Sequence, residues 1–190
     1  MMEIDNLLNL NTREMLREWL KENHKTERYC WIPVSSTPKP DALLYLDAVE
    51  EALCFGWIDG VNKKISEEQL AQRLSPRAQK TSWTELNKER VRRLEKLGLM
   101  TDAGRKILPD MNPEAFVIDS LIYQRLKEDQ RVYDNFMGFP ELYRRIRIDT
   151  IQSVHKDKEL YLRRLEKFIK KTRDNEMYGD WNDNGRLLDY

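Results

Sequence analysis

The chain has little of what announces a compartment or a chemistry. Only two cysteines, Cys30 and Cys54, occur in 190 residues; two cannot make a disulfide framework, and a reducing cytoplasm is the expected localisation. Seven glycines and seven prolines exclude collagen-like and low-complexity classes. No apolar run is long enough to span a bilayer as a helix. The start, MMEIDNLLNLNTREML, has neither a basic n-region nor an unbroken apolar stretch, so no secretory signal is expected. Net charge is also missing: 33 Lys and Arg balance 33 Asp and Glu, which leaves no global field to draw nucleic acid or acidic membranes. There is no zinc-ligand spacing, no glycine-rich phosphate loop with its lysine and no G-x-S-x-G. The expectation is therefore no metal and no cofactor.

What is present is a soluble globular composition, 40 % apolar and 35 % charged, rich in the Lys, Arg, Glu and Leu that favour helix. Asn11 with Glu14 predicts a helix start, and Met15, Leu16, Trp19 and Leu20 form its apolar stripe. RYCWIPV (28–34) predicts a strand and SSTPKP a loop. LYLDAVEEALCF predicts a helix, with Gly56 where a left-handed C-terminal residue belongs. WIDGVNKKI and EQLAQRLS predict two strands joined by a polar turn around Ser66 and Glu67, and SPRAQKT predicts a loop. Ser82 with Glu85 predicts a capped helix from Trp83 that Gly98 ends; Thr101 caps a shorter one. PDMNPE (109–114) marks a boundary. Beyond it SLIYQRLKED, QRVYDNFMG, ELYRRIRIDTIQ and DKELYLRRLEKFIKKT predict helices, although RRIRID also alternates as a strand does.

Two constellations suggest a site. CFGWIDG (54–60) follows a helix end; Gly56 permits a sharp exit and Gly60 a bulge or close backbone approach. Cys54 reads as a small buried apolar residue rather than a nucleophile, with no histidine near it in sequence. QRLSPR (72–77) and SWTELNKER (82–90) add polar groups to an inward face: a helix starting at Trp83 places Trp83, Leu86, Asn87, Arg90, Val91 and Leu94 together. Buried, Asn87 and Arg90 need partners or a cleft. Asp59 is a candidate carboxylate for Arg73, Arg77 or Arg90. One reading is a structural ion-pair network. The other is an anion site in which Arg73, Arg77 and Arg90 hold the ligand, the Ser82 helix start favours negative charge, and Trp57 and Trp83 wall it.

Charge is uneven further on. Residues 144–173 hold eleven Lys or Arg against four Asp or Glu, whereas 174–190 hold five acidic residues and one arginine. The basic residues read as solvated sides of amphipathic helices. The acidic, aromatic tail is expected to fold back, anchored by Tyr178, Trp181, Leu187 and Leu188.

ALCFGWIDG, QRLSPR and SWTELNKERVRRLEKLGLMTDAG together resemble the blocks of the YdeI/OmpD-associated, "bacteriocin-protection" family. Its pattern has an ALCFGWIDG block, a QRF(S/T)PR block, an S-x-W-S-x-x-N-x-x-R helix start and a G-x-MT-x-AG turn. FPELYRRIRIDTIQ and RLEKFI resemble the family's own helical segment. The resemblance runs over roughly residues 12–173. Leu74 stands where the family often has Phe, and Thr84 where it often has Ser. The resemblance implies a bacterial protein of mixed α/β character with a helical C-terminal part and brings no reaction; the OmpD association implies an envelope role.

The expected architecture is α+β: a small antiparallel sheet flanked by helices (1–110), a helical C-terminal region (111–173) and the acidic aromatic tail (174–190). The leading expectation is a non-catalytic, stress- or envelope-related protein that binds a small anionic ligand or a partner protein through Trp57, Asp59, Gln72, Arg73, Arg77, Trp83, Asn87 and Arg90. The alternatives are a hydrolase- or transferase-like enzyme with Asp59 as general base and arginines stabilising charge, and nucleic-acid binding by the basic C-terminal helices, which the neutral net charge disfavours.

Overall fold

The computed structural model describes residues 4–66, 69–79 and 81–190. Glu67 of the expected turn, Glu68 at the head of the expected strand and Lys80 of the expected loop lie outside the described residues. The chain divides into two compact units, Met1–Thr81 with Arg90–Pro109, and Ser82–Glu89 with Asp110–Tyr190.

In the first unit, α1 (Arg13–Asn23) buries Leu16 and Leu20. Its cap is Thr12 rather than Asn11. Thr12 holds an extended backbone (φ −126°, ψ 157°) and its hydroxyl accepts the Met15 N–H at 3.2 Å, the geometry an N-cap requires. The Asn11 amide instead donates to the Pro40 carbonyl at 3.1 Å. Strands β1 (Cys30–Ser35) and β2 (Leu43–Leu44) follow, then α2 (Tyr45–Cys54), β3 (Trp57–Lys64) and β4 (Leu70–Pro76). The sheet order is β2-β1-β4-β3. β1 and β3 both pair antiparallel to β4, and the two-residue β2 joins β1 in parallel, so the sheet is mixed. β1 lies between two neighbours, and Cys30 to Val34 are all buried.

A β-bulge interrupts β3. Its register passes from Asp59 opposite Leu74 to Asn62 opposite Gln72, so Gly60 and Val61 share one partner. Such an extra residue leaves ladder groups unpaired. The buried amide of Gln72 supplies donors, to the carbonyls of Gly60 (2.8 Å), Val61 (3.3 Å) and Arg73 (3.1 Å).

Helix α3 (Glu85–Lys96) begins two residues later than expected, and the Thr84 hydroxyl accepts the Asn87 N–H at 3.2 Å. Its first-unit residues Arg90, Val91 and Leu94 are buried. In α4 (Asp102–Arg105) the cap is Thr101.

The second unit is helical: α5 (Ser120–Lys127), α6 (Gln130–Gly138), α7 (Glu141–Gln152) and α8 (Lys158–Arg173). RRIRID lies within α7, whose Tyr143, Ile146, Ile148 and Ile151 are all buried. Burial on more than one face explains why its apolar spacing resembled a strand. The core joins Ile122, Leu126, Val132, Phe136, Leu165 and Phe168 to these. Trp181 packs edge-on to Tyr143 at 5.5 Å, Leu187 is buried, and Leu188 is exposed.

Candidate functional site

The end of α2 sets the geometry of a cleft in the first unit. Gly56 adopts φ +76°, a conformation glycine enters without strain, and turns the chain from α2 into β3. Its carbonyl receives the Arg77 N–H at 2.9 Å, tying the end of β4 to the turn. On the other side, the Thr101 hydroxyl donates to the Cys54 carbonyl at 2.6 Å. Gly104 comes so close that a Cβ there would lie 2.4 Å from the Cys54 oxygen. No larger residue fits α4 against the end of α2.

Around this joint opens a cleft of about 760 Å³. Phe55, Gly56 and Trp57 contribute to its lining, with the end of α1 (Lys21, His24, Lys25), the segment after β4 (Arg77, Gln79) and the α4 region (Lys106, Ile107). Lys21, Lys25, Arg77 and Lys106 are cations; Asp102 is the carboxylate of the lining. Aromatic groups form part of the wall. The Trp57 indole donates to the His24 carbonyl at 3.1 Å and packs edge-on to Trp19, and the His24 ring lies 5.5 Å from Phe55. His24 Nδ1 sits 2.8 Å from the Leu20 carbonyl, so that nitrogen bears a proton and donates.

The expected site residues fall in several places. Trp57 and Arg77 line the cleft. Arg77 is 9 % exposed; burial pushes its pKa down, and Asp59 opposes that shift. Asp59 does not line the cleft, and its Oδ2 accepts the Tyr45 hydroxyl at 2.6 Å. Gln72 serves the bulge. Arg73 stacks over Tyr29, 4.4 Å from the ring centroid. Arg90 is buried on α3 within the first unit, whereas Trp83 and Asn87 belong to the second. Lys21, Lys25 and Lys106 were not singled out in the sequence, because lysines on helix ends look like ordinary solvated charge.

The first unit also holds a buried ionic lattice. Glu50 and Glu51 are each 1 % exposed. Arg13 Nε reaches Glu51 at 2.6 Å and Arg13 Nη1 reaches Glu50 at 2.7 Å. Arg17 bonds Glu51 at 2.7 Å and the Leu99 carbonyl at 2.7 Å, and Arg93 bonds Glu50 at 2.8 Å. Burial opposes the Arg13 charge, but Glu51 and Glu50 outweigh it and the pKa rises. The i, i+4 spacing of Arg13 and Arg17 was the available signal. In the second unit Arg145 is ringed by Glu85, Glu89 and Glu141 at 2.6–3.0 Å, and Glu89 also accepts the Tyr190 hydroxyl at 2.7 Å. Burial drives the thiols of Cys30 and Cys54 up to about 12, Glu27 and Glu51 adding to the shift. Among the described residues no His, Cys, Asp and Glu cluster could hold a metal ion, and no helix is long and apolar enough to cross a membrane.

Residues 8–107 match the model of a domain family of unknown function (DUF8412), and residues 115–175 match the family described as "Bacteriocin-protection, YdeI or OmpD-Associated". No curated protein and no solved structure matches the chain.

Proposed function

The chain belongs to the domain family of unknown function (DUF8412) that its residues 8–107 match, with residues 115–175 similar to the YdeI or OmpD-associated family, and on that premise we propose that its first unit binds a small anionic ligand in the cleft beside Gly56. The observation behind this reading is the lining itself. Among the described residues, Lys21, Lys25, Arg77 and Lys106 meet there against the one carboxylate of Asp102, with Phe55 and Trp57 beside them. Unlike-charged ligands are concentrated in such a concavity, because a low-dielectric wall focuses the field of the cations. The volume, about 760 Å³, lies in the range of small-molecule pockets, which favours a metabolite-sized anion over an extended protein segment.

Within the cleft, Arg77 is the buried anchor, and its planar fork suits a carboxylate or phosphate. Asp59 acts on it electrostatically and favours its charged form. The three lysines at the margin draw the ligand in, and the aromatic wall receives a planar or apolar portion. This is binding without chemistry. Asp59, whose carboxylate accepts the Tyr45 hydroxyl at 2.6 Å, is not a lining residue of this cleft and takes no general-base role in this reading.

The test is a thermal-shift titration with nucleotides, sugar phosphates and dicarboxylates at constant ionic strength, on the unaltered chain and on Lys25→Gln and Lys106→Gln. A ligand that binds only the native state raises the melting temperature with its concentration. A compound that stabilises the unaltered chain and loses affinity about tenfold in either variant supports the cleft, each charge-assisted contact contributing roughly 1.5 kcal/mol or more. Equal stabilisation of all three proteins by every hit rules it out.

A further inference from the structure

Several cations of the helical unit have carboxylate partners. Arg125 pairs with Glu128 and Glu166, Arg145 with Glu85, Glu89 and Glu141, Arg173 with Asp129, and Lys171 with Glu176. Arg147 on α7, and Arg164 and Lys167 on α8, are among those that have none: no carboxylate of the described residues forms an ion pair with them. Arg147 and Lys167 meet at one side chain, on which Arg164 also acts. Arg147 Cζ lies 5.4 Å and Lys167 Nζ 4.9 Å from the centroid of the Tyr178 ring, and Arg164 acts electrostatically on its phenol.

The gathering is held in place from several sides. Arg164 Nη1 donates to the Thr150 carbonyl at 2.6 Å, which fixes one edge of its guanidinium. Arg147 Nε is buried with no hydrogen-bond acceptor. A Cβ on Gly179 would lie 2.5 Å from Arg147 Nη1, and Gly179 itself sits at φ +76°. Any side chain there would displace the guanidinium and strain the backbone, so the tail leaves Arg147 its place. Tyr178 is positioned in turn by its N–H, 3.3 Å from the Tyr143 hydroxyl. Cation–π contact compensates part of the charge, but three like charges brought together still repel one another, and an anion between them removes that repulsion.

We propose that Arg147, Arg164 and Lys167, with Tyr178 as their floor, form a second anion site that takes a phosphate-type dianion, free or as a monoester. Two guanidinium forks and one ammonium match the several acceptor oxygens of a tetrahedral dianion, which a monovalent carboxylate matches less well. The site lies wholly in the second unit and stands independently of the cleft in the first.

The experiment is an amide-resolved NMR titration of the full chain with inorganic phosphate and with phenyl phosphate at fixed ionic strength. Saturable shifts of the Tyr178 and Gly179 amides are expected, weakened about tenfold or more in Lys167→Gln and in Arg147→Gln. Lys167 is exposed, so its variant keeps the fold if Arg147→Gln does not. Tighter binding of phenyl phosphate identifies a monoester whose ring lies beside Tyr178; equal binding identifies the free dianion. Shifts that grow linearly without saturating, or that survive both variants, overturn the proposal. Loss of the same shifts in Lys106→Gln also overturns it, since they would then report the cleft; their persistence there, with no ligand found for the cleft, leaves this site standing alone.

Discussion

Replacing Glu51 by Gln keeps the shape of the side chain and removes one charge from the centre of the first unit's ionic lattice. Glu51 is 1 % exposed and accepts from Arg13 at 2.6 Å and from Arg17 at 2.7 Å. Breaking a buried ion pair from one side leaves an uncompensated charge and costs about 3–5 kcal/mol. Two features place this case near the lower bound. Arg13 keeps Glu50 at 2.7 Å, and Arg17 keeps the Leu99 carbonyl, while both arginine side chains retain 24 % exposure. About 3 kcal/mol in a unit of this size corresponds to a melting-temperature fall of roughly 12–24 °C. Calorimetry on Glu51→Gln, with Glu18→Gln as the control, measures it. Glu18 pairs with Lys21 at 2.5 Å, but the two side chains are 67 % and 51 % exposed, so that variant should stay within about 0.5 kcal/mol of the unaltered chain. A Glu51→Gln protein that melts with the control refutes the reasoning, because the lattice would then behave as surface charge.

Three further outcomes follow from named contacts. Gly104→Ala brings a Cβ to 2.4 Å from the Cys54 carbonyl; the first unit should lose about 1–3 kcal/mol in chemical denaturation, and anion affinity in the cleft should fall with it as α4 is pushed from α2. Trp181→Ala empties the place beside Tyr143 and should destabilise the helical unit by about 3–5 kcal/mol, read by calorimetry. Cys30 and Cys54, with thiols held at about 12, should resist an alkylating reagent at pH 8 until denaturant is added. An unfolded thiol ionises near about 8.5, and the folded chain holds its protons longer. The stability these thiols contribute is therefore complete below that pH and is lost as pH climbs towards 12.

The periodic features were legible. The stripe of α1, the presence of β3 and β4 and the glycine after α2 follow from local sterics and from one face seeking the core, whereas the bulge after Asp59 breaks the alternation of β3 and leaves Val61 exposed. Cap positions moved by one or two residues because the candidates stand side by side: Asn11 and Thr12 both cap well, and a distant carbonyl, that of Pro40, decided which was used. Gln72 shows the same limit. Its polarity marked it for a ligand, whereas the bulge in β3 takes up its donors.

The residues that shape the cleft expose the deeper reason. Lys21, Lys25 and Lys106 come from helix ends 81 and 85 positions apart in the chain, and no local pattern distinguishes them from lysines that only solvate a surface. Arg13 and Arg17 lie on an amphipathic helix, where charge ordinarily faces solvent, yet Glu50 and Glu51 of α2 meet them. A sequence can show that a charge needs compensation. Which charge compensates it, or whether a ligand must, is settled by the tertiary neighbours. Both proposed anion sites rest on the balance of charge within one lining or around one ring, and Lys106→Gln and Lys167→Gln interrogate that balance one cation at a time.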